Sequence, residues 1–321
     1  MALLFSLEGA IGQGILWGIM ALGVYITFRL LDFADLTVDG SFATGAAISS
    51  ALILMGVNPY LTVLAALIVG FLAGAVTGFF NTVCKIPPIL AGILSQIGLY
   101  SINLMIMGKS NLPLLKVDTM FSRVADWISL PRSVSRWLTT NNLTSLLIGI
   151  LFAVAVIAIL YWFFGTELGS SIRATGNNPH MVRANGVSTN MTIMVALIIS
   201  NGLNALSGAL VAQQQGYADV KMGIGAIVMA LAAIVIGEVV FGRKGGFSRR
   251  LISIVIGSVI YRIIVAVVLQ LGLNPDNLKL FTALLVAIAL TIPVLLENRS
   301  QKATYKRLTA AVDEIEEGFH A

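Results

Sequence analysis

The sequence predicts an all-α, polytopic membrane protein of about nine transmembrane helices, arranged as two inverted repeats with discontinuous helices. Three observations carry this prediction. The 321-residue chain is 57% hydrophobic and only 11% charged, against about 25% charged residues in ordinary soluble domains, and its mean hydropathy is +0.92. Several uncharged windows of about twenty residues have the length a helix needs to cross about 30 Å of hydrocarbon. The apolar/polar alternation of a membrane β-barrel is missing from these windows.

The expected spans lie at about 9–28, 40–56, 59–82, 88–107, 143–164, 190–213, 223–241, 250–271 and 278–296. The first apolar run has neither a charged leader nor a convincing cleavage site, and is expected to be a retained helix. One transmembrane domain is expected over 1–297, with repeat one at about 9–107, a linker span and coupling segment at 143–190, and repeat two at about 190–296. A solvated cytoplasmic tail follows at 298–321.

Charge sets the expected orientation. The net charge of +5 is dispersed over short loops and the tail, which is a positive-inside bias and not a nucleic-acid surface. With a cytoplasmic C-terminus, the inner side receives Arg29, Lys85, Arg173, Arg183, Arg243, Lys244, Arg249, Arg250 and the basic residues of the tail. The outer side receives fewer, several of them on the segment after the fourth span, and nine spans then put the N-terminus outside. In that segment Val117, Met120, Phe121, Val124, Trp127 and Ile128 recur at helical spacing, as expected of an amphipathic helix lying on the membrane surface.

Catalytic and metal chemistry find no support. Cys84 is the single cysteine, so it forms no internal disulfide and reads as an apolar filler. His180 has no partner at metal-ligand spacing. "MGKS" at 107–110 resembles the end of a phosphate-binding loop, but Asn103 replaces its first glycine and a span, not a strand, precedes it. No enzyme activity and no cofactor are expected, and any ATPase must be a separate subunit.

Two segments carry the functional signal. "LLDFADLTVDGSFATGAA" puts Asp32, Asp35 and Asp39 between the first two spans. One reading is a polar turn, with Asp39 acting mainly as N-cap of the second span and Gly40, Ser41 and the small residues after them allowing close helix packing. The other sinks the turn into the membrane as a break in a discontinuous helix, beside a water-filled path where carboxylates are tolerated. An echo favours the second reading: "FADLTVDGSF" from Phe33 aligns with "YADVKMGIGA" from Tyr217, placing Asp219 opposite Asp35. The odd number of intervening spans makes the copies inverted.

The second segment is "GTELGSSIRATGNNPHMVRANGVSTN" from Gly165. Within it Asn178 as N-cap, Pro179 at the first helical position and Gly186 past the end specify a short helix. So short a helix needs a partner to be stable, and it is expected to dock into another protein. Glu238 and Arg262, in or near spans, are expected to be buried and locally paired.

Taken in order, "ALGVYITFRLLDFADLTVDGSFATGAA", "GFLAGAVTGFFNTVCKIPPILAGILS", "IRATGNNPHMVRANGVS" and "SGALVAQQQGY" resemble the membrane permease subunits of ATP-binding cassette (ABC) importers of the branched-chain amino acid and ribose type. The likeness covers nearly the whole chain. Asp39 departs from the commonest form of the sugar permeases, and their extra N-terminal span is missing, which points to the amino-acid side, closest to permeases for aromatic amino acids.

The resemblance implies a transport path at a homodimer interface in a bacterial inner membrane. It also implies an extracytoplasmic substrate-binding protein and a cytoplasmic ABC ATPase. By the resemblance, Asp32, Asp35, Asp39, Gly40, Ser41 and Asp219 line the substrate pathway, and Arg173, Asn178, Pro179, His180, Arg183 and Gly186 couple to the ATPase. Membrane lipid is an expected partner and nucleic acid is not. A sugar or nucleoside ABC permease is the nearest alternative. An ion-coupled secondary transporter is the alternative of another class, and it would not require the capped loop at 165–190.

Overall fold

The computed structural model describes residues 2–115, 117–127, 140–242 and 245–270, together with 280–284, 286–288 and 291. The expected ninth span at 278–296 and the tail at 298–321 fall mostly or wholly outside these residues. Helix α1 (Ala2–Tyr25) continues into a π-helical turn (Ile26–Leu30), and after a short break α2 (Thr37–Leu54), α3 (Pro59–Thr82) and α4 (Pro88–Met107) follow. Strand β1 (Asn111–Pro113), α5 (Met120–Trp127), α6 (Thr140–Phe164), α7 (Glu167–Asn177), α8 (Pro179–Ala184) and α9 (Thr189–Gln215) come next. Strand β2 (Tyr217–Asp219), α10 (Ala226–Phe241) and α11 (Phe247–Gln270) complete the described elements.

Among the described residues, seven helices are long and apolar enough to cross a membrane. The expected seventh span is corrected. Residues 217–225 form a strand and turn, and α10 begins at Ala226, so its 16 residues reach about 24 Å, short of the bilayer core. Helix α2 starts at Thr37, earlier than expected, and has 18 residues.

Helix α9 is the central pillar. It runs antiparallel to α1, with Ser200 Oγ donating to the Gly23 carbonyl at 2.8 Å and Ser207 Oγ to that of Leu16 at 2.7 Å. It packs on α3 through Gly70 and Gly74, and on α2 where Gly45 meets the Ala205 backbone and Gly208 the Phe42 backbone. Helix α1 packs on α11 in turn, through Gly14 and Gly18 against Val259 and Val255. Such backbone approach gathers many dispersion contacts and needs residues without a Cβ.

The amphipathic segment does not lie free on a membrane surface. Met120 and Phe121 are buried and Val124 packs against the main core, while Trp127 is 92% exposed. Gln213 Oε1 of α9 accepts the Met120 N–H at 3.0 Å, and its Nε2 donates to Ser49, Thr62 and the Pro59 carbonyl. One buried amide therefore ties α5 and the α2–α3 hairpin to the end of α9. Ile128 lies outside the described residues.

These seams set a test. Gly45→Val would drive a side chain into the Ala205 backbone and is expected to abolish folded protein, as read by monodispersity and thermal unfolding in detergent. Gly98→Ala, where a Cβ meets nothing within 4 Å, is expected to leave the transition unchanged or raise it, since alanine is favoured over glycine in a helix by about 1 kcal/mol.

Candidate functional site

The three clustered aspartates do different things. After the π-helical turn, Asp32 takes a left-handed conformation (φ 55°) and is exposed. This turns the chain back so that the Phe33 N–H bonds the Thr27 carbonyl at 2.9 Å. Asp35 is 2% exposed. Its Oδ1 accepts the N–H of Thr37, the first residue of α2, at 2.9 Å, and its Oδ2 accepts Asn201 Nδ2 at 2.7 Å. Asn201 stands near the middle of α9, and its Oδ1 accepts Ser41 Oγ at 2.8 Å. Thr37 continues the network to Thr77 of α3 at 2.8 Å, and Thr77 donates to Ser95 of α4 at 2.7 Å. The start of α2 is thus pinned to three other helices deep inside the bundle.

The expected capping role of Asp39 is corrected. It sits inside the first turn of its own helix, and its carboxylate caps a different one: Oδ2 accepts the Gly225 N–H at 2.9 Å and Oδ1 the Ile227 N–H at 3.0 Å. Gly225, at φ +86°, supplies the left-handed turn that opens α10, and Gly223 abuts the Asp39 backbone. Two helix N-termini therefore meet at "DLTVD", each positive end facing one carboxylate from it. Asp35, not Asp39, serves the start of α2.

Asp219 is not brought to Asp35. It lies in the two-stranded ribbon, paired with Asn111 across the β1–β2 register. Its local geometry nevertheless repeats that of Asp35: Oδ1 accepts the N–H two residues on, from Lys221 at 2.7 Å, and Oδ2 accepts Asn111 Nδ2 at 3.3 Å.

Asp39 and Gly40 line a cavity of about 260 Å³ with Ala43 of α2, Gln96, Ile97, Tyr100 and Asn103 of α4, and Val220 and Ile224 of the turn before α10. Asp35 and Ser41 lie behind it, in the seam with α9. Sequence reasoning missed the α4 residues, because a lone Gln, Tyr and Asn on an apolar helix give no motif. It missed Asn201 for the same reason.

At the opposite end of α10, Arg29 clamps Glu238 through two hydrogen bonds of 3.0 and 2.6 Å. This bears out local pairing for Glu238. Arg262 instead stacks over the Trp17 ring, 4.3 Å from its centroid, a cation–π contact.

In the segment at 165–190, Asn178 Oδ1 accepts the N–H groups of both His180 and Met181 at 3.1 Å, Pro179 opens α8, and Gly186 has φ +80°. The short helix is as expected. A preceding helix, α7, was not anticipated: Thr166 caps it, and Gly169 packs it against the backbone of Phe163 and Phe164. Arg173 lies over the Phe247 ring, Thr175 bonds Thr192 at 3.0 Å, and Gly176 abuts the Leu30 backbone where the α1–α2 break begins.

A bundle of membrane-length helices around two helices that start inside it, N-terminus to N-terminus, has the architecture of a solute permease. The chain belongs to the family described as "Branched-chain amino acid transport system / permease component", which matches residues 6–291, and is a multi-pass permease of an ABC importer. It is 36% identical to the tyrosine transport system permease protein of Clostridioides difficile (strain R20291), over 95% of this chain and 96% of that one. It is 32% identical to an uncharacterized protein of Rickettsia prowazekii (strain Madrid E), over 88% and 95%. It is 26% identical to the ribose import permease protein of Escherichia coli (strain K12), over 88% and 82%. The family implies an ATPase and a substrate-binding protein as partners, and membership sets aside a self-contained ion-coupled carrier.

The two carboxylates are separable by substitution. Asp39→Asn keeps one acceptor oxygen for α10, and is expected to cost about 1 kcal/mol, the scale of a cap. Asp39→Leu leaves both N–H groups bare and is expected to cost more. Asp35→Leu, which also strips Asn201 of a partner, is expected to remove folded protein, whereas Asp35→Asn retains an acceptor for Thr37. Thermal unfolding of the four variants orders them, and equal transitions for Asp39→Leu and wild type would defeat the capping assignment.

Proposed function

We propose that the chain is the translocation subunit of an importer for an amino acid of the aromatic class, delivered by an external binding protein and driven by a cytoplasmic ATPase. The observation that carries the permease reading is Asp39 bridging two helices that both begin inside the bundle, a break in the backbone that a membrane tolerates beside a solute path. The amino-acid reading is supported by the fuller and closer match to a tyrosine permease than to a ribose permease. The path runs past Asp39 and Gly40 at a homodimer interface. In this reading Asp32, Asp35, Ser41 and Asp219 shape the segments beside it.

The inverted repeat is part of this proposal. Two kinds of geometry support it: Asp35 and Asp219 make the same pair of bonds, and α1 packs on α11 as α9 packs on α3. The ends of α1, α3, α6 and α10 then face the cytoplasm, with Arg29, Lys85, Arg173, Arg183 and Arg250; α11 crosses back, and a cytoplasmic C-terminus rests on the ninth span expected from the sequence.

Coupling to the ATPase falls to α7 and α8, with Arg173, Asn178, Pro179, His180, Arg183 and Gly186. Support comes from the capped exposed helix α8 and from the contact of α7 with the break at Leu30. A push on α8 passes through α7 to the residues that begin the break and, by Arg173 and Phe247, to α11. Arg183→Glu is expected to lower transport-linked ATP hydrolysis several-fold. Arg183 Nε also donates to Thr189 Oγ1 at 3.0 Å, so Thr189→Val, which removes that bond and leaves the charge, is the control. Equal losses in both variants would assign the effect to the internal bond and not to docking.

A further inference from the structure

The cavity beside Asp39 contains a group that no role described so far uses. Asn103 is 0% exposed, and both atoms of its side-chain amide lack a hydrogen-bond partner. An unmet amide in so apolar a setting is costly, and more so where water is excluded. Nearby, the buried amides of Asn201 and Gln213 are engaged, whereas that of Asn204 is unmet in the tight seam of α9 against Gly23. Of the two wholly unmet amides among the described residues, it is Asn103 that borders this cavity.

Asn103 is one turn from the end of α4. Gln96 and Tyr100, at helical spacings of seven and three residues before it, face the same cavity, and Asp39 borders it from α2. The opposite wall is apolar, formed by Val220 and Ile224 of the turn before α10. Ile97 and Ile224, 62% and 53% exposed, mark the side on which it opens.

We propose that this cavity is the solute's docking site in the permease, with Asn103 and Gln96 donating to the carboxylate of an α-amino acid. In that pose the ammonium group lies towards Asp39, and the side chain lies against Tyr100 and Ile224. Each Asp39 oxygen accepts one backbone N–H and retains a lone pair for a further donor. The amide of Asn103 is shut off from water in this conformation. It becomes engaged when α4 and the turn before α10 part, so the bound conformation is favoured by the bonds the resting one lacks. The inference rests on the amino-acid reading above.

The test uses the complete importer, reconstituted in liposomes with its ATPase and binding protein, with uptake of labelled tyrosine, phenylalanine and ribose measured side by side. Asn103→Leu is close in volume and removes the unmet amide. It is expected to lower amino-acid uptake about tenfold or more, the scale of a hydrogen bond to a charged group, while the purified permease melts no lower than wild type. Asn103→Gln is expected to recover part of the uptake.

A leucine variant that melts higher and transports as wild type would show an idle amide and overturn the proposal. Ile97→Trp keeps the test decisive if the leucine variant does not assemble: it fills the open side from an exposed position and is expected to lower uptake, and unchanged uptake overturns the site. If wild type carries ribose and neither amino acid, the amino-acid reading falls, and the head-group assignment falls with it. If wild type carries tyrosine or phenylalanine and both variants match it, the docking site alone falls.

Discussion

The structure depends on the two carboxylates of "DLTVD" facing two helix N-termini in the interior of the bundle. A helix that starts at mid-depth leaves N–H groups without partners, and each costs several kcal/mol in hydrocarbon. Asp35, two residues before α2, meets the first N–H of that helix, and Asp39, in its first turn, meets two at the start of α10. The four-residue spacing lets one turn of α2 serve both ends. The short α10, the turn at Gly225 and the cavity beside it all follow from that contact.

Around it, α9 acts as a column on which α1, α2 and α3 pack. Its glycines and small residues admit the backbones of α2 and α3, and two of its amides, Asn201 and Gln213, fix the start and the end of α2. The contacts of Asn201 and Gln213 are buried and satisfied, which rigidifies the column at those two points, while Asn204 beside Gly23 is buried without a partner. Asn103, also unmet, differs from Asn204 in its place: it sits on a helix most of whose surface is open, and its neighbours at the cavity are a turn and a single face of α2.

The route from α7 and α8 to the break is short and made of packed backbone. Gly176 against Leu30 leaves no room for a side chain, so α7 and the π-helical turn are packed backbone to backbone. A π-helical turn is a place where a helix readily changes its winding. The Arg29–Glu238 clamp joins the same turn to the far end of α10. The two ends of the break thus contact both termini of α10, one through Asp39 and the other through Arg29.

The sequence by itself determined the class of protein, most of the spans and the short helix α8, because these rest on local chemistry. Apolar length fixes a span, and Asn-Pro followed by Gly seven residues after the proline fixes α8 from within. It also marked both broken segments through the repeated Phe/Tyr-Ala-Asp. What it left undecided was which groups meet. Asp39 looked like the cap of its own helix because sequence reasoning sees only neighbours in the chain, and its partners lie 186 and 188 positions away. Asn201, Thr77 and Asn103 carried no motif, since a single polar residue on an apolar helix has no meaning until the facing helix is known. Only the tertiary structure decided that two of these are met and one is not. Partnering of buried polar groups is a property of packed surfaces, not of the order of residues along the chain.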